Sequence, residues 1–298
     1  MKKTSRGLFL IPLLIDMLLS FLFCAFANPA ASQYIRMGLP RLIVQQSQLT
    51  IQKDPDDDLS FATLGIGYAR LGQYADAQSA FLCSGRSNYE NAMEYLADSY
   101  RYFYDISSAV GIRQSLLWDD QTLDQDRVRI YYDMIEDYRF GNQIEDARTT
   151  AYELIGFHPR AMLGWAQLAN IAMDENNLDD AFLYLEIVTR DIQNGRRSPK
   201  ELIYIQTRYF YLMGEYEEAH TMIQKSFQRQ PTHDSLYWLA KVKHVLYGPL
   251  ESLTLLERNK FQYNEHPKIL EFKRSLYIEL QMYEKISQVD ELLIKYTD

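Results

Sequence analysis

The chain has 298 residues and a formal net charge of −9, with 47% hydrophobic and 24% charged residues. This composition is typical of a globular protein rather than a disordered one, and the length suits two ordinary domains or one repeat array. The negative charge argues against nucleic acid as a partner and against adhesion to anionic lipid, because both require a basic surface.

The N-terminus carries a targeting signal. Basic residues Lys2, Lys3 and Arg6 precede an apolar run at 8–27 that ends in Ala-Phe-Ala, which predicts a signal peptide at residues 1–27. The run is also about as long as a membrane span, so an uncleaved membrane anchor is the alternative. In both cases the rest of the chain is expected outside the inner membrane, periplasmic, secreted or anchored, with membrane contact through this segment alone.

Residues 28–57 are predicted to form a short lead followed by a capping helix. Apolar positions in Leu39–Lys53 follow helical spacing, and the pattern stops at Asp54-Pro55. The acidic stretch 54–58 has the carboxylates of a calcium loop but lacks its glycine and its final glutamate. We therefore expect it to cap the next helix.

The stretch 61–84, FATLGIGYARLGQYADAQSAFLCS, predicts two short helices joined by a turn at 71–73. Phe61, Leu64 and Tyr68 recur at the spacing of one helix face, and so do Tyr74 and Ala77 with the following Phe. A hairpin of this kind cannot bury its own apolar face, so further copies are expected to stack on it.

The pattern of a first-helix residue followed nine positions later by alanine recurs five times. A small residue is required there because the two helices of a hairpin approach closely. The alanines are 32, 38, 34 and 38 residues apart. The pairs are Tyr68/Ala77, Tyr100/Ala109, Tyr138/Ala147, Ala172/Ala181 and Phe210/Ala219.

This pattern resembles the tetratricopeptide repeat, whose period is about 34 residues. The resemblance implies an all-α fold, a right-handed solenoid of about seven repeats over 58–298, with five clear repeats and two degenerate ones after residue 233. The expected repeats are 58–89, 90–123, 128–161, 162–195, 200–233, 234–266 and 267–298.

The resemblance further implies that the first helix of each hairpin lines a concave groove that holds a partner protein or peptide. Solvent-facing positions of these helices are the candidate contacts, and tyrosine, tryptophan and arginine among them are typical of binding hot spots. The candidates are Asn91, Glu94, Asp98, Arg101, Tyr102, Arg129, Tyr132, Glu136, Arg139, Asn170, Tyr204, Arg208, Tyr211 and Trp238. Many of these tyrosines could instead fill the packing between repeats.

No motif in the sequence indicates catalysis. The five histidines show no metal-binding spacing, and there is no phosphate loop or nucleophile elbow. We therefore expect no enzymatic activity, no cofactor and no metal, and we expect Cys83 to be a small buried side chain.

The sequence favours a non-catalytic interaction scaffold of the cell envelope. The alternatives are a membrane-anchored assembly subunit and an accessory of a secretion or polysaccharide-export machine. For the last of these, a tyrosine- and tryptophan-lined groove could accept glycan.

Overall fold

The computed structural model describes residues 40–84, 92–119, 122–158, 162–259 and 266–294. Within these ranges the chain forms fifteen α-helices and no strand, and none of the helices is both long and apolar enough to span a membrane. The predicted signal or anchor at 1–27, the lead at 28–38 and Asn91 lie outside the described residues.

One helix is followed by seven helical hairpins in chain order, which confirms the predicted solenoid. Helix α1 is Pro40–Lys53. The hairpins are α2 Asp58–Arg70 with α3 Tyr74–Cys83, α4 Ala92–Tyr102 with α5 Ile106–Leu117, α6 Asp124–Phe140 with α7 Ile144–Phe157, α8 Met162–Asp174 with α9 Leu178–Gln193, α10 Leu202–Leu212 with α11 Tyr216–Arg229, α12 His233–Tyr247 with α13 Pro249–Arg258, and α14 Pro267–Glu279 with α15 Tyr283–Ile294.

Helix α1 packs along α2, the first helix of the first hairpin. A Cβ atom on Gly67 would lie 2.8 Å from Val44 Cγ2, so the two helices approach closely where α2 carries glycine. Asp57 caps α2, because its carboxylate accepts hydrogen bonds from the backbone N–H groups of Leu59 at 3.1 Å and Ser60 at 3.2 Å. A helix and an N-terminal cap thus precede the first hairpin.

The same turn joins the helices of six hairpins. Two residues before the second helix, the backbone is left-handed, a conformation that glycine and asparagine adopt most readily. The next N–H then bonds to the carbonyl five residues earlier, as between Gln73 and Tyr68 at 3.0 Å. The left-handed residues are Gly72, Tyr104, Asn142, Asn176, Gly214 and Gln281.

The predicted alanine contact is confirmed in all five clear repeats. Ala77, Ala109, Ala147, Ala181 and Ala219 are each 0% exposed.

In the sixth hairpin the equivalent residue is Ser252, which is also buried and donates a hydrogen bond to the Ala240 carbonyl at 2.8 Å. A serine that satisfies its own hydroxyl can therefore replace alanine there. The seventh hairpin has Ile286 at this position, and it is only partly buried.

The array curves until its last hairpin contacts its first two. Tyr74 and Tyr102 stack with ring centres 4.3 Å apart, and His266 lies edge-on to both, at 5.7 and 5.2 Å. A Cβ on Gly72 would lie 2.8 Å from the His266 Cα. We call Gly72, Tyr74, Tyr102, His233 and His266 the closure contact. One apolar cluster runs through it and unites residues of the first, second, sixth and seventh hairpins.

Three predictions about exposure were wrong. Tyr102 is 5% exposed because it belongs to the closure contact, and Asn170 is 6% exposed because it packs against α10. Cys83 is exposed rather than buried. The buried positions of α3 include Tyr74, Ala77 and the residues one turn further on, and Cys83 falls outside that face.

Candidate functional site

A cavity of about 420 Å³ lies on the inner side of the array. Every lining residue in the described part of the chain comes from the first helices of five successive hairpins, the third to the seventh. The lining residues are Tyr132, Glu136, Arg139, Phe140, Asn170, Asp174, Tyr204, Ile205, Arg208, Asp234, Tyr237, Trp238, Lys241, Lys268 and Glu271.

Seven of the fourteen candidate contacts lie in this lining. On α6 the three positions are four and three residues apart, and on α10 two are four apart, so each set shares one helix face. Whether they bind a partner stays a prediction. The seven are Tyr132, Glu136, Arg139, Asn170, Tyr204, Arg208 and Trp238.

Ion pairs tie three of the lining helices together. Arg139 contacts Asp174 at 2.6 Å and Glu136 at 2.5 Å, and Arg208 contacts the other Asp174 oxygen at 2.6 Å. Burial alone would raise the pKa of Asp174, but the two guanidinium groups hold it below its usual value. We call Glu136, Arg139, Asp174 and Arg208 the ion-paired wall of the cavity. Its side chains are charged, and their ion pairs hold them in one geometry before any ligand binds.

Asn170 and Gln167 form hydrogen bonds with charged residues of the ion-paired wall. The Asn170 backbone carbonyl and side-chain oxygen each accept a hydrogen bond from Arg208 at 3.2 Å. Gln167 donates to Glu136 at 2.6 Å, so the buried amides of α8 satisfy charged groups of both neighbouring helices.

Lys241 lies among aromatic rings at the other side of the cavity. Its ammonium nitrogen is 5.3 Å from the ring centre of Tyr211 and 5.5 Å from those of Tyr237 and Trp238. Burial lowers the pKa of Lys241, and the charge of Arg208 lowers it further. Within the described residues no carboxylate forms an ion pair with it. Tyr211, a candidate contact that does not line the cavity, therefore borders it through Lys241.

The tyrosines of the cavity keep their hydroxyl protons. Burial raises the pKa of Tyr237 to about 12, and the Tyr204 hydroxyl lies 2.9 Å from Thr232 Oγ1. Both groups can therefore donate or accept hydrogen bonds at neutral pH.

Five other candidates lie outside the cavity, in contacts between the second and third hairpins or in the closure contact. Arg129 of α6 pairs with Glu94 of α4, and Arg101 pairs with Asp98 on its own helix and with Asp137 of α6. Tyr102 belongs to the closure contact, as described above. The structure therefore divides the predicted groove into an inner cavity and a packed region that has no free surface at Tyr102.

The packed region contains a buried ionic cluster that the sequence did not predict. Arg113 contacts Asp137 at 2.6 Å, and both side chains are 0% exposed. Arg113 also contacts Asp98 and lies 3.5 Å from Asp133, while Arg101 lies 3.0 Å from Asp137. Three carboxylates therefore share two guanidinium groups, and burial raises the pKa of Asp133 to about 6.

Several residues of the cavity were missed because they fall next to predicted ones on the same helix. Asp174 is four residues after Asn170, and Lys241 is three after Trp238, so helical spacing alone would have found both. Lys268 and Glu271 belong to the degenerate repeat at 267–298, from which no contact residue was predicted. Nothing in the sequence indicated that His233 and His266 would meet. Among the described residues no group of three or more acidic, histidine or cysteine side chains could hold a metal ion.

Comparisons with known proteins identify the fold. No protein-family model matches the sequence, and no curated protein matches it significantly. A tetratricopeptide repeat protein from Parabacteroides merdae superimposes over 83% of this chain and 95% of its own, with 15% identity and a TM-score of 0.53. A thermophilic protein of the same repeat type from Thermus thermophilus covers 62% of this chain and 97% of its own, with 15% identity and a TM-score of 0.47. MamA covers 56% of this chain and 97% of its own, with 14% identity and a TM-score of 0.45.

Proposed function

Because the chain folds as an array of tetratricopeptide repeats, we propose that it is a non-catalytic scaffold whose inner cavity holds a segment of a partner protein. The observation that carries the proposal is the lining itself, in which five successive first helices present aromatic, arginine and lysine side chains to one space. Such side chains dominate the binding energy of protein interfaces. Ion pairs hold both arginines of the described lining, Arg139 and Arg208, so little entropy would be lost in ordering the site when a partner binds.

The two carboxylates of the ion-paired wall, Glu136 and Asp174, do not have the properties of a general acid or base. Burial would raise the pKa values of Glu136 and Asp174, but neighbouring arginines hold both below their usual values. Both groups are therefore ionised and already paired at neutral pH, whereas a general acid or base has a pKa near the working pH.

The proposed location is the cell envelope, on the outer side of the inner membrane. The support is the basic and apolar pattern of residues 1–27. Determining the N-terminal sequence of the exported protein would separate a soluble form that starts after residue 27 from an anchored one. Material that retains its N-terminus and stays in the cytoplasm would overturn the proposal of export.

A photo-crosslinking amino acid at Tyr204 would test the scaffold function. Crosslinking in an envelope extract, followed by mass spectrometry, would identify the partner segment that enters the cavity. The same group at Tyr152, which is half exposed on the second helix α7, controls for contacts outside the cavity. Equal capture from both positions would contradict binding in the cavity.

Purified partner then allows a quantitative test. We expect Tyr132→Ala and Trp238→Ala each to weaken binding by about 2 kcal/mol, roughly 30-fold in Kd, as for central interface anchors. Tyr152→Ala removes the same side chain from the outer surface and should leave Kd unchanged. Calorimetry measures the affinities, and circular dichroism checks that helicity is retained. Arg139 and Arg208 are less suitable targets because the loss of either removes one of the two guanidinium groups that pair with Asp174 and would disturb the wall itself.

A second candidate function is that of an assembly subunit whose copies join through the last hairpin. The favouring observation is a set of exposed apolar side chains on α14, on α15 and in the turn between them, including Ile278 and Met282, with Tyr283 69% exposed. Analytical ultracentrifugation of the purified chain would distinguish the two functions. A concentration-dependent oligomer that Tyr283→Ser dissolves would support assembly.

A further inference from the structure

Lys241 carries a positive charge that no described carboxylate of the cavity offsets. Its ammonium group lies near the rings of Tyr211, Tyr237 and Trp238, and it forms no ion pair within the described ranges. Burial lowers the pKa of Lys241, and the charge that lowers it further is that of Arg208, which is also positive. Lys241 is therefore half-buried without the opposite charge that usually accompanies an ammonium group removed from water.

The other charged groups of the described lining are matched. In the ion-paired wall, two guanidinium groups contact two carboxylates. Burial acts to raise the pKa values of Asp234 and Glu271, and the charge of Lys268 opposes that effect in both. The described lining thus holds equal numbers of cationic and acidic side chains, but the positive charge at Lys241 is locally in excess. A local excess of one sign in a cleft attracts a ligand of the other sign.

Aromatic contacts fix the surroundings of Lys241. Tyr211 of α10 meets Trp238 of α12 edge-on, with ring centres 6.0 Å apart, and Tyr237 of α12 meets Phe272 of α14 in the same way at 5.9 Å. Edge-on pairs of this kind stabilise the orientation of the rings. Tyr237 and Trp238 also line the cavity, so apolar surface lies directly beside the charge.

A ligand group that matches this site has a carboxylate at the end of a short apolar stem. The carboxylate would form a charge-assisted hydrogen bond with the ammonium group, and the methylene groups of the stem would cover the neighbouring rings. Glutamate and aspartate side chains have this construction.

We propose that the partner segment held in the cavity carries an acidic side chain whose carboxylate pairs with Lys241, and that Lys241 thereby determines which segments bind. The inference rests on the proposed scaffold function and adds the chemistry of the segment that the cavity selects.

Peptide display on the purified chain tests this inference. The probe is a library of random twelve-residue segments with linkers at both ends, so that no segment presents a free chain terminus. Binders that lose affinity for the Tyr132→Ala chain are taken as cavity binders, because Tyr132 lines the cavity from α6. We expect these segments to share an aspartate or glutamate at one position.

A double-mutant cycle then assigns the carboxylate to Lys241. Replacing the shared acid by its amide should weaken binding to the native chain by about tenfold or more, as for the loss of a charge-assisted hydrogen bond. Lys241→Gln should cause a similar loss, and the two chains should then bind the amide peptide equally weakly. Lys243→Gln is the matched control and should leave the affinity unchanged. Lys243 lies on the same helix, 5.7 Å from the ring centre of Tyr247, and is not among the described lining residues.

The outcomes separate this inference from the function on which it rests. Cavity binders without a shared acid, or binders that the Lys241→Gln chain holds as tightly as the native chain does, would overturn the inference and leave the scaffold function standing. A second library with a free C-terminus that alone yields cavity binders would overturn it as well, by assigning the charge to a chain end. Failure of both libraries, together with equal photo-crosslinking from Tyr204 and Tyr152, would contradict the function itself.

Two fallbacks keep the test decisive. If neither library binds but the crosslinker at Tyr204 captures a partner segment, the same acid-to-amide replacements are made in that segment. If Lys241→Gln loses helicity by circular dichroism, Lys241→Met takes its place, because it keeps an apolar stem beside the rings and removes the charge.

Discussion

Replacing Asp133 by asparagine should stabilise the protein above neutral pH. Asp133 is the third carboxylate of a cluster that holds two guanidinium groups, and it lies 3.5 Å from Arg113, the most distant of the Arg113 ion pairs. Burial raises its pKa from an ordinary 3.8 to about 6. Because the folded protein holds this proton more tightly than the unfolded chain does, the contribution of Asp133 becomes less favourable as the pH rises from about 4 to about 6.

The size of the effect follows from the same pKa difference. One pKa unit corresponds to about 1.4 kcal/mol. The raised pKa of Asp133 therefore lowers the free energy of unfolding by roughly 3 kcal/mol above pH 7 and by about 1 kcal/mol at pH 4.5. Asp133→Asn removes this cost and keeps an oxygen that can accept a hydrogen bond from Arg113. We therefore expect the free energy of unfolding to increase by about 3 kcal/mol at pH 8 and by about 1 kcal/mol at pH 4.5.

Urea denaturation of both proteins at the two pH values measures this difference. Asp56→Asn, at an exposed position in the turn before α2, controls for the loss of one negative charge from the whole chain and should change stability little at either pH. The inference that Asp133 is the carboxylate in excess over the two guanidinium groups would be refuted by a variant that is less stable than the native protein at pH 8. A gain in stability of the same size at both pH values would refute it as well.

Three further predictions concern packing, the closure contact and the thiol. In urea denaturation, Ala147→Leu should lower the free energy of unfolding by about 1–3 kcal/mol, because the site is fully buried between two helices. The control Ala75→Leu, on the partly exposed side of α3, should have little effect. Gly72→Ala should lower the melting temperature more than Gly214→Ala does. Both glycines have φ near +79°, but only a Cβ atom at position 72 would contact His266. Equal decreases in melting temperature would mean that the closure contact is absent in solution. In a Cys24→Ser background the folded protein should react with a thiol reagent at Cys83, and the further substitution Cys83→Ser should abolish the reaction. A thiol that reacts only in denaturant would contradict its exposure.

The sequence by itself determined the repeating unit. Alanine nine residues after a first-helix residue marks a contact within one hairpin, and the turn between them closes with a hydrogen bond to the carbonyl of that first-helix residue. These interactions span fewer than fifteen residues, so the local pattern encodes them completely. Helical spacing then places Tyr132, Glu136 and Arg139 on one face, and the resemblance identified that face as the inner one.

Only the tertiary structure decided which hairpins meet across the array. Tyr102 and His266 are 164 residues apart, and their contact depends on the small rotation from each repeat to the next, accumulated over several repeats. No local pattern records that sum, so the sequence predicted an exposed Tyr102 where the structure buries it. The same holds for Arg113 and Asp137, since a buried ion pair between hairpins becomes visible only once the packing that excludes water from it is known.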